Sequence, residues 1–139
     1  MIRKATTYDI DAIKHIADAN KDTLGFVMRP ALLENIEHGW VLVAERDSQV
    51  IGFVNYRHRR DTQTTIYEIC VAQAYRGQDF GSQLIDALQQ ESKNLGKTYI
   101  QLKAIVDIPA NRFYARYGFS LRSMEPGKRH ALNVWRLIW

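Results

Sequence analysis

The sequence is poor in the features that mark secreted and membrane proteins. It has one cysteine, Cys70, so no disulfide bond can form within the chain. It has no run of about 18 apolar residues of the kind that spans a membrane. The first residues, 1–4, lack the apolar core of a signal peptide. We therefore expect a reduced, cytoplasmic location and no membrane partner.

The sequence also lacks internal repeats, low-complexity segments and linker-like stretches. Its hydrophobic fraction of 46% and charged fraction of 24% are typical of a globular protein. A chain of 139 residues is long enough for one sizeable core and short for two. We predict a single domain that spans residues 1–139.

The net charge and the potential metal-ligating residues of the sequence exclude few classes of function. The net charge of +4 suits an anionic ligand, and it is also compatible with nucleic acid. The only dense basic run, Arg57-His58-Arg59-Arg60, is short and lies at the end of a predicted strand. A solvated loop is the simpler interpretation, so we predict no nucleic-acid partner. No group of His, Cys, Asp and Glu has the spacing of metal ligands, so we predict no metal.

Hydrophobic periodicity predicts the element order β-α-α-β-β-β-α-β-α-β-β. The predicted strands are residues 2–5, 40–45, 50–56, 64–71, 99–104, 119–124 and 133–139. Four helices are predicted. One follows Asp9, a second begins near Pro30, and two more cover residues 82–95 and 109–117. This order indicates a mixed α/β (α+β) domain built around one central sheet. Two tryptophans on the last strand either cap the core or form a dimer interface, so we expect a monomer or a homodimer.

The most informative segment is a glycine-containing turn between a predicted strand and a predicted helix. Its sequence is Tyr75-Arg76-Gly77-Gln78-Asp79-Phe80-Gly81-Ser82. A turn that leads directly into a helix presents backbone N–H groups at the positive end of the helix dipole. That arrangement binds phosphate or pyrophosphate, so we expect a phosphorylated cofactor.

Two segments together resemble the GNAT acyltransferase superfamily. The first is Arg76-Gly77-Gln78-Asp79-Phe80-Gly81, which resembles the family's Arg/Gln-x-x-Gly-x-Gly/Ala loop. The second is Ala110-Asn111-Arg112-Phe113-Tyr114-Ala115-Arg116-Tyr117-Gly118-Phe119, which resembles a later family segment. The likeness spans essentially the whole chain. It implies a single mixed, mostly antiparallel sheet flanked by helices, and an N-acetyltransferase that uses acetyl-CoA.

The resemblance also implies which residues contact the cofactor. The amides of residues 78–82 would bind the pyrophosphate, with Gly77 and Gly81 permitting the tight turn. Arg76 either adds positive charge or anchors the loop. A backbone N–H near Cys70 or Val71 would bind the thioester carbonyl. The expected cofactor-binding residues are Cys70, Val71, Arg76, Gly77, Gln78, Asp79, Phe80, Gly81, Ser82, Asn111 and Tyr114.

Asp79 departs from the family pattern, because the usual residue at this position is glycine. A carboxylate there either repels the phosphates or points into solvent. If the loop binds acetyl-CoA, we expect Asp79 to donate its N–H while its side chain turns outward. The departure leaves open an alternative function, a non-catalytic acyl-CoA-binding module that acts as a sensor or assembly partner.

The resemblance implies two catalytic side chains. We favour Tyr114 as the proton donor to the leaving thiolate over the alternative, a half-buried helix tyrosine that packs against the sheet. Glu68 would accept the proton of the attacking amine, directly or through water, unless it is an ordinary salt-bridged carboxylate. His58 is a weaker candidate, since a lone histidine in an arginine-rich loop is usually exposed. We do not expect Cys70 to act as a nucleophile, because no histidine is near it in sequence and buried cysteines are usually inert.

The acceptor is expected to be a primary amine of a small molecule, a peptide or a protein. In this family the acceptor groove lies between the early helical segment and the late strands. Here the corresponding segments are residues 24–29, 57–61 and 124–130. The first is apolar with one arginine and the others are largely basic, so an amine that also carries a carboxylate or phosphate would fit.

Overall fold

A seven-stranded sheet forms the centre of the protein in the computed structural model, which describes residues 1–139. Its strands are β1 (Ile2–Lys4), β2 (Val41–Arg46), β3 (Gln49–His58), β4 (Gln63–Val71), β5 (Tyr99–Ile105), β6 (Ser120–Glu125) and β7 (Leu132–Ile138). They lie in the order β1-β2-β3-β4-β5-β7-β6. Every pair is antiparallel except β4 and β5, which are parallel. The predicted mixed, mostly antiparallel sheet is confirmed.

Five α-helices flank this sheet. They are α1 (Ile10–Asp18), α2 (Lys21–Leu24), α3 (Arg29–Glu37), α4 (Phe80–Asn94) and α5 (Ala110–Tyr117). Pro30 lies in the first turn of α3, where its missing N–H costs nothing, as predicted. Gly96 follows α4 with a φ of +77°, the left-handed conformation expected after a helix end. The sequence did not predict α2, because four residues are too few to show a helical period.

The core has two parts, one on each face of the sheet. On one face α4 packs through Leu84, Ile85 and Leu88, together with Tyr114 of α5. On the other face α1 and α3 pack through Ile13, Ile16, Leu32 and Ile36. These are the residues that the helical periods place on one side of each helix.

The sheet opens between its two parallel strands. The pairing of β4 with β5 ends at Ile66 and Leu102, although both strands continue for several residues. At the same point β4 bulges against β3, since Asn55 pairs with Glu68 whereas Tyr56 pairs with Ile66. Tyr67 is the extra residue of this bulge. A bulge bends its strand, so the second half of β4 diverges from β5 and leaves a cleft.

The last strand does not lie at an edge. β7 lies between β5 and β6, so both of its sides are already hydrogen-bonded. Trp135 is buried, and the Trp139 indole donates to the Lys97 carbonyl over 3.0 Å. The two tryptophans therefore cap the core, and β7 has no free edge through which a second copy could pair. The expected monomer or homodimer stays a prediction. The free edges of the sheet belong to β1 and β6.

None of the helices has the length and apolar character that crossing a membrane requires.

Candidate active site

A row of free backbone amides lies at the beginning of α4. The N–H groups of residues 78–82 have no hydrogen-bond acceptor within the protein. The first amides of any helix lack an intrahelical partner, and here the preceding turn adds the free amides of Gln78 and Asp79. With the dipole of a 15-residue helix behind them, these amides form a site for an anion.

Two glycines shape this site for different reasons. Gly77 has a φ of +77°, which only glycine adopts without strain. Gly81 lies inside the first turn of α4, and its backbone is ordinary. A Cβ at Gly81 would lie 3.2 Å from Cζ of Phe113 in α5, so glycine allows these helices to approach. Only Gly77 permits the tight turn, and our prediction for Gly81 is corrected to a packing role.

Arg76 anchors the turn. Its Nε donates to the Val71 carbonyl over 3.0 Å, and one terminal nitrogen donates to Asn20 Oδ1 over 2.7 Å. Gln78 is tied to the β2–β3 turn by a bond of 2.7 Å from Arg46. These contacts hold the end of β4 to both neighbouring segments.

Asp79 adopts the left-handed conformation, with a φ of +69° and a ψ of 9°. Glycine suits such a position best, and aspartate tolerates it better than most residues. The side chain is exposed and caps no amide of α4. The carboxylate therefore leaves the Asp79 N–H and the next amides of α4 free.

A cleft of about 940 Å³ begins at this turn and runs between β4 and β5. Its walls include residues 66–71 of β4, residues 102–105 of β5, Phe113 and Tyr114. Ala72 donates to the Ile51 carbonyl over 2.7 Å, which fixes the alternation of the β3–β4 ladder. In that alternation the Cys70 N–H donates to β3, whereas the N–H groups of Ile69 and Val71 point toward β5, which no longer pairs with β4 at this level. Of the two residues expected to bind the thioester carbonyl, Cys70 and Val71, only Val71 has a free N–H.

Tyr114 lies in the wall of this cleft. Its ring packs against Phe113, Phe119 and Trp135. Its hydroxyl makes no hydrogen bond within the protein. Burial raises the pKa of Tyr114, and the nearby Cys70 adds to this effect, so the hydroxyl keeps its proton at neutral pH.

The side chain of Asn111 is used inside the protein. Its amide nitrogen donates to the carbonyls of Ile105, Val106 and Ile108 at 2.9–3.1 Å. Its oxygen accepts from the Trp135 indole at 2.8 Å and from Asn133 at 3.2 Å. These bonds hold the β5–α5 turn beside the cleft. The predicted contact of Asn111 with the cofactor stays a prediction, and this side chain has no free donor to offer.

A second pocket of about 430 Å³ lies on the opposite side of β4. It is lined by α3, by β3 and by the segment that joins α2 to α3. Tyr67 and Glu68 line both this pocket and the cleft. The bulge in β4 is therefore the wall that the two spaces share.

Glu68 has no cationic partner. Burial raises its pKa, and one hydrogen bond, from Asn55 Nδ2 to Oε1 over 2.7 Å, opposes that shift. Asn55 Oδ1 in turn accepts from Asn35 Nδ2 over 2.7 Å. The Asn35 nitrogen also donates to the Tyr56 carbonyl over 3.3 Å. Because a carbonyl can only accept, this bond fixes Asn35 as the donor to Asn55, and Asn55 as the donor to Glu68. Asn35 and Asn55 were missed by the sequence analysis, since they come from different elements and match no motif.

His58 and Cys70 take part in other contacts. His58 lines neither pocket. Its side chain is only 8% exposed, whereas we expected an exposed histidine, and Nε2 lies 2.7 Å from Glu91 and Nδ1 2.8 Å from Thr64. Burial raises the pKa of the Cys70 thiol, although Arg76 opposes the shift, so the thiol stays protonated. No three His, Cys, Asp or Glu side chains come close enough together to hold a metal ion.

Comparisons with known proteins give the family. Residues 37–121, which are more than half of the chain, match the model of the acetyltransferase (GNAT) domain. A curated protein of Pseudomonas phage PaMx11, a 5-NmdU N-acetyltransferase, is 28% identical over 91% of each chain.

Solved structures agree in fold. Ard1 of Thermoplasma volcanium superposes with a TM-score of 0.90 at 22% identity, over 99% of this chain and 96% of that one. The PaiA N-acetyltransferase of Thermoplasma acidophilum, solved with coenzyme A, superposes with a TM-score of 0.86 at 17% identity, over 100% and 98%. The resemblance predicted from two short segments is confirmed. The chain belongs to the GNAT family and is an N-acetyltransferase whose acetyl donor is acetyl-CoA.

Proposed function

We propose that this enzyme acetylates a primary amine by direct attack in a ternary complex, with Tyr114 as general acid and Glu68 as general base. The single observation that carries the proposal is the position of Glu68. It lies in the wall shared by two pockets, and one of them begins at an anion site. Donor and acceptor can therefore enter from opposite sides and meet at β4.

The residues of the cleft fit acetyl-CoA. The free amides of residues 78–82 match the charge of a pyrophosphate, and the cleft is within the usual size of a ligand site. The unpaired amides of Ile69 and Val71 allow the pantetheine arm to bind along β4 as an additional strand would. The bound thioester supplies the activated acetyl group. The Val71 N–H would stabilise the negative charge that the carbonyl oxygen of the thioester gains during the reaction.

Tyr114 supplies the proton for the departing thiolate. Its hydroxyl is protonated at neutral pH, lines the cleft and has no competing partner in the protein. General acids of this kind contribute about 10²–10⁴-fold to the rate. The packing of its ring against three aromatic neighbours holds the hydroxyl in place.

Glu68 removes the proton of the amine. An alkylamine has a pKa near 10 and is mostly protonated at neutral pH, so it must lose a proton before it attacks. Burial raises the pKa of Glu68 and makes it a stronger base than an exposed glutamate. Its lack of an ion pair leaves one carboxylate oxygen free to accept the proton.

The acceptor amine enters through the second pocket. Related proteins are named for different acceptors, 5-NmdU in the phage enzyme and a ribosomal-protein alanine in the enzyme from Brucella melitensis. The Brucella enzyme has the same fold as this chain, so we infer that the residues lining the second pocket determine the choice between small molecules, peptides and proteins.

The experiment compares Tyr114→Phe with the wild type. We expect turnover of acetyl-CoA with a reactive amine to fall by about 10²-fold or more. Calorimetry should show nearly the same affinity for acetyl-CoA, since the phenyl ring keeps the packing. Equal turnover in the two proteins would refute Tyr114 as the general acid.

A further inference from the structure

One side of the sheet is covered by helices along only part of its width. Helices α1 and α3 pack there against β2, β3 and β4, and no residue of β5, β6 or β7 belongs to that part of the core. The residues that β5 directs to this side, Tyr99, Gln101 and Lys103, are not buried, whereas the alternate residues on the α4 side are. We call this uncovered surface, formed by β5, β7 and the beginning of β4, the open face.

Two arginines are held on the open face by neutral side chains. On β7, Arg136 Nε donates to Gln101 Oε1 over 2.8 Å, and the guanidinium lies 4.7 Å from the centre of the Tyr99 ring. The second arginine, Arg59, follows β3, where its Nε donates to Thr65 Oγ1 over 3.1 Å. Each guanidinium is therefore positioned through Nε, and neither uses its terminal nitrogens for this.

The contacts of Arg59 connect it to the rest of the open face. Its guanidinium lies 5.9 Å from the centre of the Tyr67 ring. Thr65 Oγ1 also accepts from Gln63 Nε2 over 2.7 Å, and Gln63 Oε1 accepts from the Tyr99 hydroxyl over 2.8 Å. The two arginines thus belong to one network of hydrogen bonds and ring contacts, which restricts their positions.

The terminal nitrogens of both guanidinium groups have no acceptor within the protein. Arg59 and Arg136 form no ion pair, and Nε makes their only side-chain hydrogen bonds. The acids beside the open face are already engaged, since Asp61 accepts a backbone N–H of its own turn over 2.9 Å and Glu125 pairs with Lys103 over 2.6 Å. The two terminal N–H groups of a guanidinium match the two oxygens of a carboxylate. The open face therefore offers two positioned sites for carboxylates.

The open face begins at the second pocket. Tyr67, whose ring lies beside Arg59, lines both that pocket and the cleft. Arg136 lies on β7, which is two strands away from β4 across β5. Two strand spacings are about 10 Å, the length of about three residues of an extended chain. A chain whose amine reaches Glu68 would therefore pass both arginines with its next few residues.

We propose that the acceptor amine belongs to a polypeptide with acidic residues close to the amine, and that their carboxylates bind Arg59 and Arg136. This inference rests on the proposed function, because it takes Glu68 as the base that receives the amine. The free guanidinium ends and the lack of an unengaged acid beside them give the open face a charge complementary to such a segment.

The open face suits carboxylates better than the phosphates of a nucleic acid. Proteins that bind single strands use free aromatic faces on which the bases stack. Here the rings of Tyr67 and Tyr99 already lie against the guanidinium groups of Arg59 and Arg136. A base would have to displace these arginines, whereas a carboxylate uses the terminal nitrogens and leaves the ring contacts in place.

The test compares pairs of peptides that differ only in the charge beside a single amine. In one pair the N-terminus is free and the chain has no lysine, and in the other the N-terminus is blocked and the chain has one lysine. The residues that follow the amine are Glu in one peptide of each pair and Gln in its partner. In at least one pair we expect kcat/KM to be about tenfold higher for the Glu peptide, mainly through KM, since two exposed charge contacts together change affinity by about this factor. The preference should shrink as salt is added.

Arginine variants locate the carboxylate sites. Arg59→Gln combined with Arg136→Gln should remove the preference for the Glu peptide. Arg59→Lys combined with Arg136→Lys should keep only part of it, because lysine retains the charge without the two parallel donors. The matched control is Lys93→Gln combined with Arg112→Gln, which removes the same charge from exposed positions on α4 and α5 that line neither pocket. It should keep the preference of the wild type, and wild-type affinity for acetyl-CoA should show that each variant is folded.

The outcomes separate this inference from the proposed function. If a peptide or a small primary amine is acetylated, equal kcat/KM within both pairs, or a preference that the Gln variants retain, would overturn the inference and leave the proposed function standing. Competition by oligothymidylate that depends on both arginines, without competition by oligoglutamate, would assign the open face to nucleic acid and overturn the inference as well. If no peptide and no small primary amine is acetylated by protein that binds acetyl-CoA, the proposed function fails together with the inference.

Discussion

Asn55 donates its side-chain N–H to Oε1 of Glu68 over 2.7 Å, and this is the only hydrogen bond that the carboxylate accepts within the protein. The bond comes from β3, directly across the ladder from the bulge in β4. It holds one oxygen of Glu68 and leaves the other for a substrate. The orientation of the Asn55 amide is fixed in turn by Asn35, so a residue on α3 helps to orient the Glu68 carboxylate.

Loss of this bond should change the pH dependence of the reaction. In Asn55→Leu the burial of Glu68 is unopposed, so its pKa rises further and the acid limb of kcat/KM moves to higher pH. A hydrogen bond to a charged group contributes about 1.5–3 kcal/mol, so kcat/KM at pH 7 should fall about tenfold or more. Part of the loss should be recovered at alkaline pH. An acid limb at the wild-type position would contradict this role of Asn55.

Asp79 is expected to weaken the binding of acetyl-CoA. Asp79→Asn keeps a residue that tolerates the left-handed conformation and removes a negative charge beside the free amides. We expect the Kd for acetyl-CoA, measured by calorimetry at low salt, to fall about threefold, and the difference to shrink as salt is added. Asp47→Asn is the control, because Asp47 is also left-handed and exposed but lines neither pocket. An unchanged or higher Kd in Asp79→Asn would show that the carboxylate does not oppose the phosphates.

Glu91 should stabilise the fold in a pH-dependent way. Burial opposes its ionised form, but hydrogen bonds from His58, Lys4 and Tyr56 outweigh burial and hold the pKa of Glu91 at about 2 instead of 4.5. Since the pKa is lower in the folded protein, the stabilisation is complete above pH 4.5 and is lost as the pH falls toward 2. Glu91→Gln should lower the free energy of unfolding at pH 7 by on the order of 3 kcal/mol.

Urea unfolding of the wild type and of Glu91→Gln at several pH values measures this difference. It should narrow below pH 4.5 and nearly vanish near pH 2. Glu125→Gln is the control, since Glu125 forms a surface ion pair with Lys103 over 2.6 Å and surface pairs contribute at most about 1 kcal/mol. A difference for Glu91→Gln that stays constant with pH would mean that the loss comes from packing.

Local patterns were enough to predict much of this molecule. The apolar periods located most strands and helices, and the turn at residues 75–82 indicated an anion site before any fold was known. The short helix Lys21–Leu24 was missed because it shows no period. The position of β7 inside the sheet was also missed, since strand order depends on contacts distant in sequence.

In the site, too, local sequence indicated some features, whereas others depend on contacts between residues distant in sequence. Tyr114 lies in a segment that resembles the family, and the resemblance also implies an acid at the position of Glu68; both catalytic roles stay predictions. The contacts that direct Glu68 were not predicted, because Asn35 and Asn55 meet only through the packing of α3 on β3. His58 was expected in solvent, whereas the fold closes the end of β3 over Glu91 and Thr64. Sequence spacing carries no signal for such pairs.

The role of Glu68 as general base is tested most directly by the pH profile of kcat/KM for the wild type and Glu68→Gln, with one acceptor amine at saturating acetyl-CoA. We expect the wild type to have an acid limb above the usual range of a glutamate, since burial raises the pKa of Glu68. Glu68→Gln should lose this limb and about 10²–10⁴-fold in rate. A variant that keeps the limb and the rate of the wild type would show that Glu68 is not the base.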